Sequence, residues 1–244
     1  IIGENVKGIL SRKNHEGAKY IDIIVEEFDK LGYNIEYKVM KANLHGVPQN
    51  RHRLIIVGIS KDIATDKPYE FPEENKSQSL NLKDIVKYSM EGVIKMDKDD
   101  FDFASIPDEC ILKDMNCSKE AITEGSGKPH PNLKLLAKQR DYIYKDVAYP
   151  HRLNFGKRIP VGGEIIDIRK PLNTIICTYA RAPRFFVPQQ NKNGFYLRCL
   201  LPDELKQIQG FPADYKMNGD KGKLIIQIGN AVPPPLIQSV INNL

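Results

Sequence analysis

The chain has 244 residues, 36 Lys and Arg against 31 Asp and Glu, a formal charge of +5, and 41% hydrophobic residues with no tryptophan. That apolar content excludes a disordered chain, and no Gly-X-Y or heptad period suggests a fibre. No apolar run approaches the ~20 residues of a membrane-spanning helix, and Ile1–Leu10 lack the pattern of a secretory signal.

The start reads as alternating strand and helix. Ile1 and Ile2 look like the end of a buried strand. Ile21, Ile24, Phe28 and Leu31 fall at helical spacing, and Gly32 is placed to stop that helix. Tyr33, Ile35, Tyr37 and Val39 alternate as a strand, and Leu54–Val57 form a short apolar run typical of a strand covered on both faces. From about Lys61 to Tyr149 the chain is rich in Asp, Lys and Pro, with a short amphipathic segment near Leu82–Tyr88. Short β-like pieces follow, Glu164–Ile168 and Thr174–Thr178 among them, separated by turns. Pro202 begins a helix with Asp203 and Glu204 at its positive end and Gly210 after its close; a last helix follows Pro235.

The mild net charge hides two opposed regions. Ser126–Leu200 carry 14 basic and four acidic residues, whereas Asp97–Glu124 carry nine acidic residues and three lysines. Within the basic stretch, Arg140, Arg152, Lys157, Arg158, Arg169, Lys170, Arg181 and Arg184 alternate with Tyr142, Tyr144, Tyr149, Phe155, Tyr179, Phe185 and Phe186. Arginine grips phosphates and base edges while aromatics stack, so this mixture suits a phosphate-rich polymer as well as an ordinary solvated face. Cys110, Cys117, Cys177 and Cys199 make no CxxC pair and have no histidine at zinc-finger spacing, so four reduced thiols in a cytoplasmic protein and no metal are expected, a structural zinc site being the second choice. His45 and His52 read as loop and strand residues. Gly125-Ser126-Gly127-Lys128 lacks the spacing of a phosphate-binding loop.

Three stretches carry chemistry. Gly3-Glu4-Asn5-Val6 places a carboxylate at a strand end. Ala42-Asn43-Leu44-His45-Gly46-Val47-Pro48-Gln49-Asn50-Arg51-His52-Arg53 leads straight into the next strand. Gln209-Gly210-Phe211-Pro212 is followed by Gln227-Ile228-Gly229-Asn230-Ala231-Val232-Pro233. In this order they resemble the ENV, QxRxR, QGFP and GNxV motifs of the cytosine-5 DNA methyltransferase family. ENV alone is a weak signal; four motifs in order are a specific one. The segment before QGFP departs from the family pattern, keeping Arg198 and Glu204 but carrying Leu201 and Asp203 in place of Thr and Arg. Leu201 cannot cap a helix by its side chain, so stability there must come from elsewhere.

The resemblance implies an α/β fold: part of a Rossmann-like methyltransferase sheet with a second, smaller, mostly irregular and β target-recognition domain. It implies that residues 1–72 and 220–244 form the partial catalytic domain, and 73–219 the recognition domain with its connector. In the family a cysteine adds to carbon 6 of cytosine, and carbon 5 then takes a methyl group from S-adenosylmethionine. Glu4 would serve nitrogen 3 and the exocyclic amine, Arg51 and Arg53 would hold the base carbonyl, the phosphate and the Glu4 loop, and Asn230 would lie beside the cofactor, serve as a helix N-terminal cap, or both. Pro171–Ile175 resembles the segment that opens the recognition loops. Arg181, Arg184, Gln189 and Gln190 are then candidates for base-edge contacts and Lys157, Arg158 and Lys170 for phosphate contacts with double-stranded DNA, Arg152 and Thr174 being further DNA-binding candidates, with the target cytosine flipped out.

The family's glycine-rich cofactor loop and its Pro-Cys-Gln nucleophile are not in this sequence. The expectation is therefore the later part of an enzyme of a bacterial or phage restriction–modification system, inactive alone. A complementary subunit or the missing N-terminal half of a longer chain would bring the nucleophile and most of the cofactor site; the absent initiator methionine favours the longer chain. The first strand and the helix at Tyr20–Leu31 are expected to form the apolar surface that meets it. The rival readings are a non-catalytic DNA-binding protein derived from such an enzyme and a transfer-RNA cytosine methyltransferase.

Overall fold

The computed structural model describes residues 1–63, 68–75, 80–96, 103–121, 128–138, 153–157 and 162–244. Its elements in chain order are β1 (Ile2–Asn5), α1 (Tyr20–Lys30), β2 (Tyr33–Lys41), β3 (His52–Ser60), β4 (Ile94–Met96), β5 (Leu112–Asp114), α2 (Pro131–Lys138), β6 (Leu153–Phe155), β7 (Gly163–Ile165), β8 (Phe185–Asn191), β9 (Gly194–Cys199), α3 (Pro202–Ile208), α4 (Lys221–Asn230) and α5 (Pro234–Ile241). They divide into two compact units, Ile1–Leu80 with Val232–Leu244, and Asn81–Ala231.

In the first unit β3 lies between β1 and β2 and runs antiparallel to both, with Glu4 opposite Ile55 and Tyr37 opposite Ile56. The apolar run in β3 is explained by cover on both faces. Leu54 and Ile56 pack with Ile21 and Ile24 of α1, while Ile55 and Val57 pack with Leu236 and Val240 of α5. Gly32, at φ +85°, ends α1 in the left-handed turn that a side chain resists. The start of β1 is not buried as the apolar residues suggested: Ile1 is 49% and Ile2 37% exposed, because β1 is an edge strand among the described residues.

In the second unit β8 and β9 form a hairpin with Gln189 opposite Tyr196, and the Asn191 carboxamide closes its turn by accepting from the Asn193 N–H at 2.8 Å. β4 adds antiparallel to β9, β5 and β7 add parallel to β8, and β6 adds parallel to β7. Ile165, Phe186, Leu197, Leu205, Ile208 and Ile228 lie in its core. Glu204 supplies the missing cap of α3: its Oε2 accepts the Leu201 N–H at 2.8 Å while Arg198 holds both carboxylate oxygens, at 2.7 and 2.8 Å.

Several local expectations change. The amphipathic segment near Leu82–Tyr88 takes the form of a turn, from which Leu82 and Val86 are buried. Thr174–Thr178 is not a strand; the chain coils into a 3-10 turn at Cys177–Ala180, which buries Ile175 and Tyr179. Asn230 is the last residue of α4, so it is not an N-terminal cap; that role falls to Asp220, whose Oδ1 accepts the Lys223 N–H at 2.9 Å. α4 packs on the 177–180 turn and belongs to the second unit, so the compact division falls at Ala231 rather than at residue 219. Lys221–Ile241 has the length and apolarity of a membrane span, but it is two helices, α4 and α5, separated at Ala231–Pro233.

Candidate active site

Glu4 stands at the end of β1, and Asn5 fixes the turn beyond it by accepting the Val6 N–H at 2.8 Å. The pairing register puts Glu4 opposite Ile55. Arg53 lies two residues before Ile55 in β3, so it shares that face of the sheet and is the diagonal neighbour of Glu4. Its Nε donates to Glu4 Oε1 at 2.6 Å, and its Nη1 to the His52 carbonyl at 2.8 Å. The Glu4 side chain keeps 25% of its surface exposed and that of Arg53 14%, so the pair is held but reachable.

Arg51 sits deeper, at 1% exposure, at the end of the loop between β2 and β3. Burial brings its pKa down to about 10, with the neighbouring Arg53 charge acting the same way and Glu4 opposing. Burial also lowers Arg53, against the pull of Glu4. Both guanidinium groups stay charged at neutral pH. The result is one carboxylate aimed by one arginine with a second cation buried nearby, an arrangement able to orient a polar ring and to hold a proton at a ring nitrogen.

Asn230 belongs to the other unit and is exposed. It is positioned by its neighbours. A Cβ on Gly229 would lie 2.5 Å from the Cys177 backbone nitrogen, so the glycine allows α4 to sit directly on the 177–180 turn. The Gln209 carboxamide donates to the Ala231 carbonyl, tying the Gln209–Pro212 motif to the end of α4.

The candidate nucleic-acid residues divide. Arg181, Lys157 and Lys170 are exposed, and Thr174 and Arg184 are half-buried. Lys170 lies 3.2 Å from Asp167, whose carboxyl Arg169 holds well below the usual carboxylate range. Arg152 and Arg158 lie outside the described residues. Gln189 cannot read a base edge. It is fully buried, accepting from the Ser89 N–H at 2.9 Å and from Arg198 Nε at 3.1 Å, and donating to the Ser89 carbonyl at 2.7 Å. The same contacts show what sequence reading missed: Gln189, Arg198 and Glu204 are one buried polar cluster. The paired charges of Arg198 and Glu204, six residues apart across a strand and a helix start, were its only visible sign.

No disulfide links the four cysteines, and burial pushes the Cys199 thiol up to about 12.

Comparison with known proteins agrees with the motifs. The chain is 25% identical over 240 residues to the type II methyltransferase M.BsuFI of Bacillus subtilis, an alignment covering 97% of this chain and 45% of that one. It is 33% identical to M.FnuDI of Fusobacterium nucleatum, covering 96% and 61%. The chain thus spans about half the length of the curated relatives it matches. Solved structures share its fold: the Entamoeba histolytica methyltransferase EhMeth, TM-score 0.53 at 12% identity, covers 99% of this chain with 60% of its own, and the Dnmt2 methyltransferase of S. pombe, TM-score 0.52 at 12% identity, covers 98% with 62%. The family description C-5 cytosine-specific DNA methylase matches residues 1–244 from end to end, and the chain belongs to that family.

Proposed function

We propose that this chain is the later part of a DNA cytosine-5 methyltransferase that acts on a cytosine flipped out of a specific duplex sequence, together with a complementary segment that carries the nucleophilic cysteine. The Glu4–Arg53 ion pair with Arg51 buried nearby is the observation that carries this reading. Glu4 accepts from the exocyclic amine and holds a proton at nitrogen 3 of the base. Arg53 fixes the Glu4 carboxylate, and the fixed charge of Arg51 favours the electron-rich base carbonyl and the adjoining phosphate. S-adenosylmethionine supplies the methyl group. An exposed carboxamide at the end of a helix fits contact with such a polar cofactor, so Asn230 is the residue here that would touch it, and the rest of its site is assigned to the complementary segment.

That segment is proposed to dock on β1. Ile1, Ile2 and Val6 are exposed there, and the chain spans only about half the length of the curated relatives it matches. Alone, the chain is expected to be inactive. Arg181 and Arg184 are proposed to touch base edges, and Lys157 and Lys170 phosphates, in a cytoplasmic, nucleoid-associated protein of a restriction–modification system. A non-catalytic binding protein has little use for a carboxylate aimed by an arginine, which disfavours that rival.

The test is to mix the chain with a polypeptide bearing the upstream motifs and follow methyl transfer from labelled S-adenosylmethionine to duplex DNA, with transfer RNA as competitor. Transfer that duplex DNA supports and transfer RNA does not suppress is the expected result. No transfer from a well-folded mixture would sink the complementation.

A further inference from the structure

The loop that delivers Arg51 is closed on itself, with the Ala42 N–H donating to the Arg51 carbonyl at 2.8 Å and the Val47 N–H to the Ala42 carbonyl at 3.3 Å. Its tip lies against α5. Gly46, at φ +73°, faces the Pro235 side chain, and His45, 7% exposed, brings Nδ1 within 3.3 Å of Ser239 Oγ. Ser239 has a single hydroxyl proton and gives it to the Leu236 carbonyl at 2.8 Å. Its oxygen is therefore left to accept from the ring, which defines His45 as the neutral tautomer protonated at Nδ1. The Nε2 lone pair then faces the packed interior with no hydrogen-bond partner among the described residues.

We propose that His45 is a positioning residue whose neutral ring latches the Arg51-bearing loop to the C-terminal helix, and that a proton arriving on Nε2 releases the latch. A charged N–H would be buried there without an acceptor, so the ring leaves its site rather than ionising in place. The charged groups that act on the ring are Glu74, which favours the proton, and Lys38 of β2, which opposes it. Glu74 also lies 3.6 Å from Lys41 Nζ, which weakens its pull. Burial outweighs both and lowers the pKa of His45. A lowered pKa in the closed state means that the latch is intact above the ordinary value of about 6.5 and is lost as the pH falls below it.

The consequence for Arg51 rests on the methyltransferase reading; the latch itself does not, and it is measured in this chain alone. Hydrogen exchange at about pH 7.5 and about pH 5.5, corrected for intrinsic rates, reads it directly. Protection of residues 42–51 and of α5 should fall by up to ~10-fold per pH unit below about pH 6.5, the one-proton limit, while the β8–β9 hairpin keeps its protection. His45→Gln still offers a donor to Ser239 but does not titrate, so its protection should be flat over that range. Unchanged protection in the wild-type chain, or the same acid loss in His45→Gln, overturns the latch. Should His45→Gln fail to fold, the NMR titration of the His45 ring in the wild-type chain decides: a midpoint below about 6.5 supports the latch, and one at or above it overturns it.

Discussion

Arg198 and Glu204 face each other from β9 and α3, with the two terminal guanidinium nitrogens 2.7 and 2.8 Å from the two carboxylate oxygens and neither residue more than 6% exposed. A buried pair of this kind is costly to break one side at a time, because the survivor is left as an uncompensated charge. Glu204→Ala should therefore destabilise the second unit by ~3–5 kcal/mol, while Arg198→Met combined with Glu204→Leu should cost far less. Urea unfolding of the single and double variants measures the difference.

The Glu4–Arg53 pair should behave in the opposite way. Being partly exposed, it contributes only ~0–1 kcal/mol to stability. Its value lies in chemistry: Glu4→Gln should lower methyl transfer by the complemented enzyme by ~10²–10⁴-fold. Parallel urea curves with a collapsed transfer rate are the expected pair of results.

Acid should attack Asp167. Its carboxyl is held low first by Arg169, whose Nε and Nη2 donate to it at 2.8 and 2.9 Å. A depressed folded pKa stabilises the fold above the unfolded value of about 4 and loses that contribution as the pH falls. Asp167→Asn should thus flatten the fall in stability below about pH 4, as read from thermal melts across that range.

Gly229→Ala would drive a methyl group into the Cys177 backbone, 2.5 Å from its nitrogen and 2.7 Å from its Cα. Backbone cannot swing aside as a side chain can, so overpacking of ~1–3 kcal/mol is expected. Thermal melts of the variant measure that loss, and a raised protease sensitivity at the 177–180 turn would locate it.

Much of the fold could be read from periodicity. The stripe Ile21, Ile24, Phe28 and the alternation Tyr33, Ile35, Tyr37, Val39 became α1 and β2, with Ile21, Ile24, Ile35 and Val39 in one apolar cluster and Tyr37 left exposed. The extended reading of Thr174–Thr178 failed because Ile175 reaches the core from the coil before, and Tyr179 from within, a 3-10 turn under α4, a long-range contact that a short apolar run cannot announce. Glu4, Arg51 and Arg53 were legible as motif residues, and the strand register explains why Arg53, rather than Arg51, makes the direct pair with Glu4. Gln189 was misread for a different reason. Composition counts a carboxamide near arginines as surface, and only the pairing of β8 with β9 shows that it is enclosed with Arg198.

The strand order of the first unit also sets a sequence of events. Among the described residues β1 pairs with β3 alone, and β3 begins only at His52, after α1, β2 and the Arg51 loop. Glu4 therefore has no seat until a distant strand closes on it, and that strand arrives carrying Arg53. Because loop closure must precede such non-local pairing, the carboxylate and the guanidinium that aims it become ordered in a single late step. Until that closure a nascent chain carries Glu4 and Arg53 unpaired, and the same strand register that seats one supplies the other.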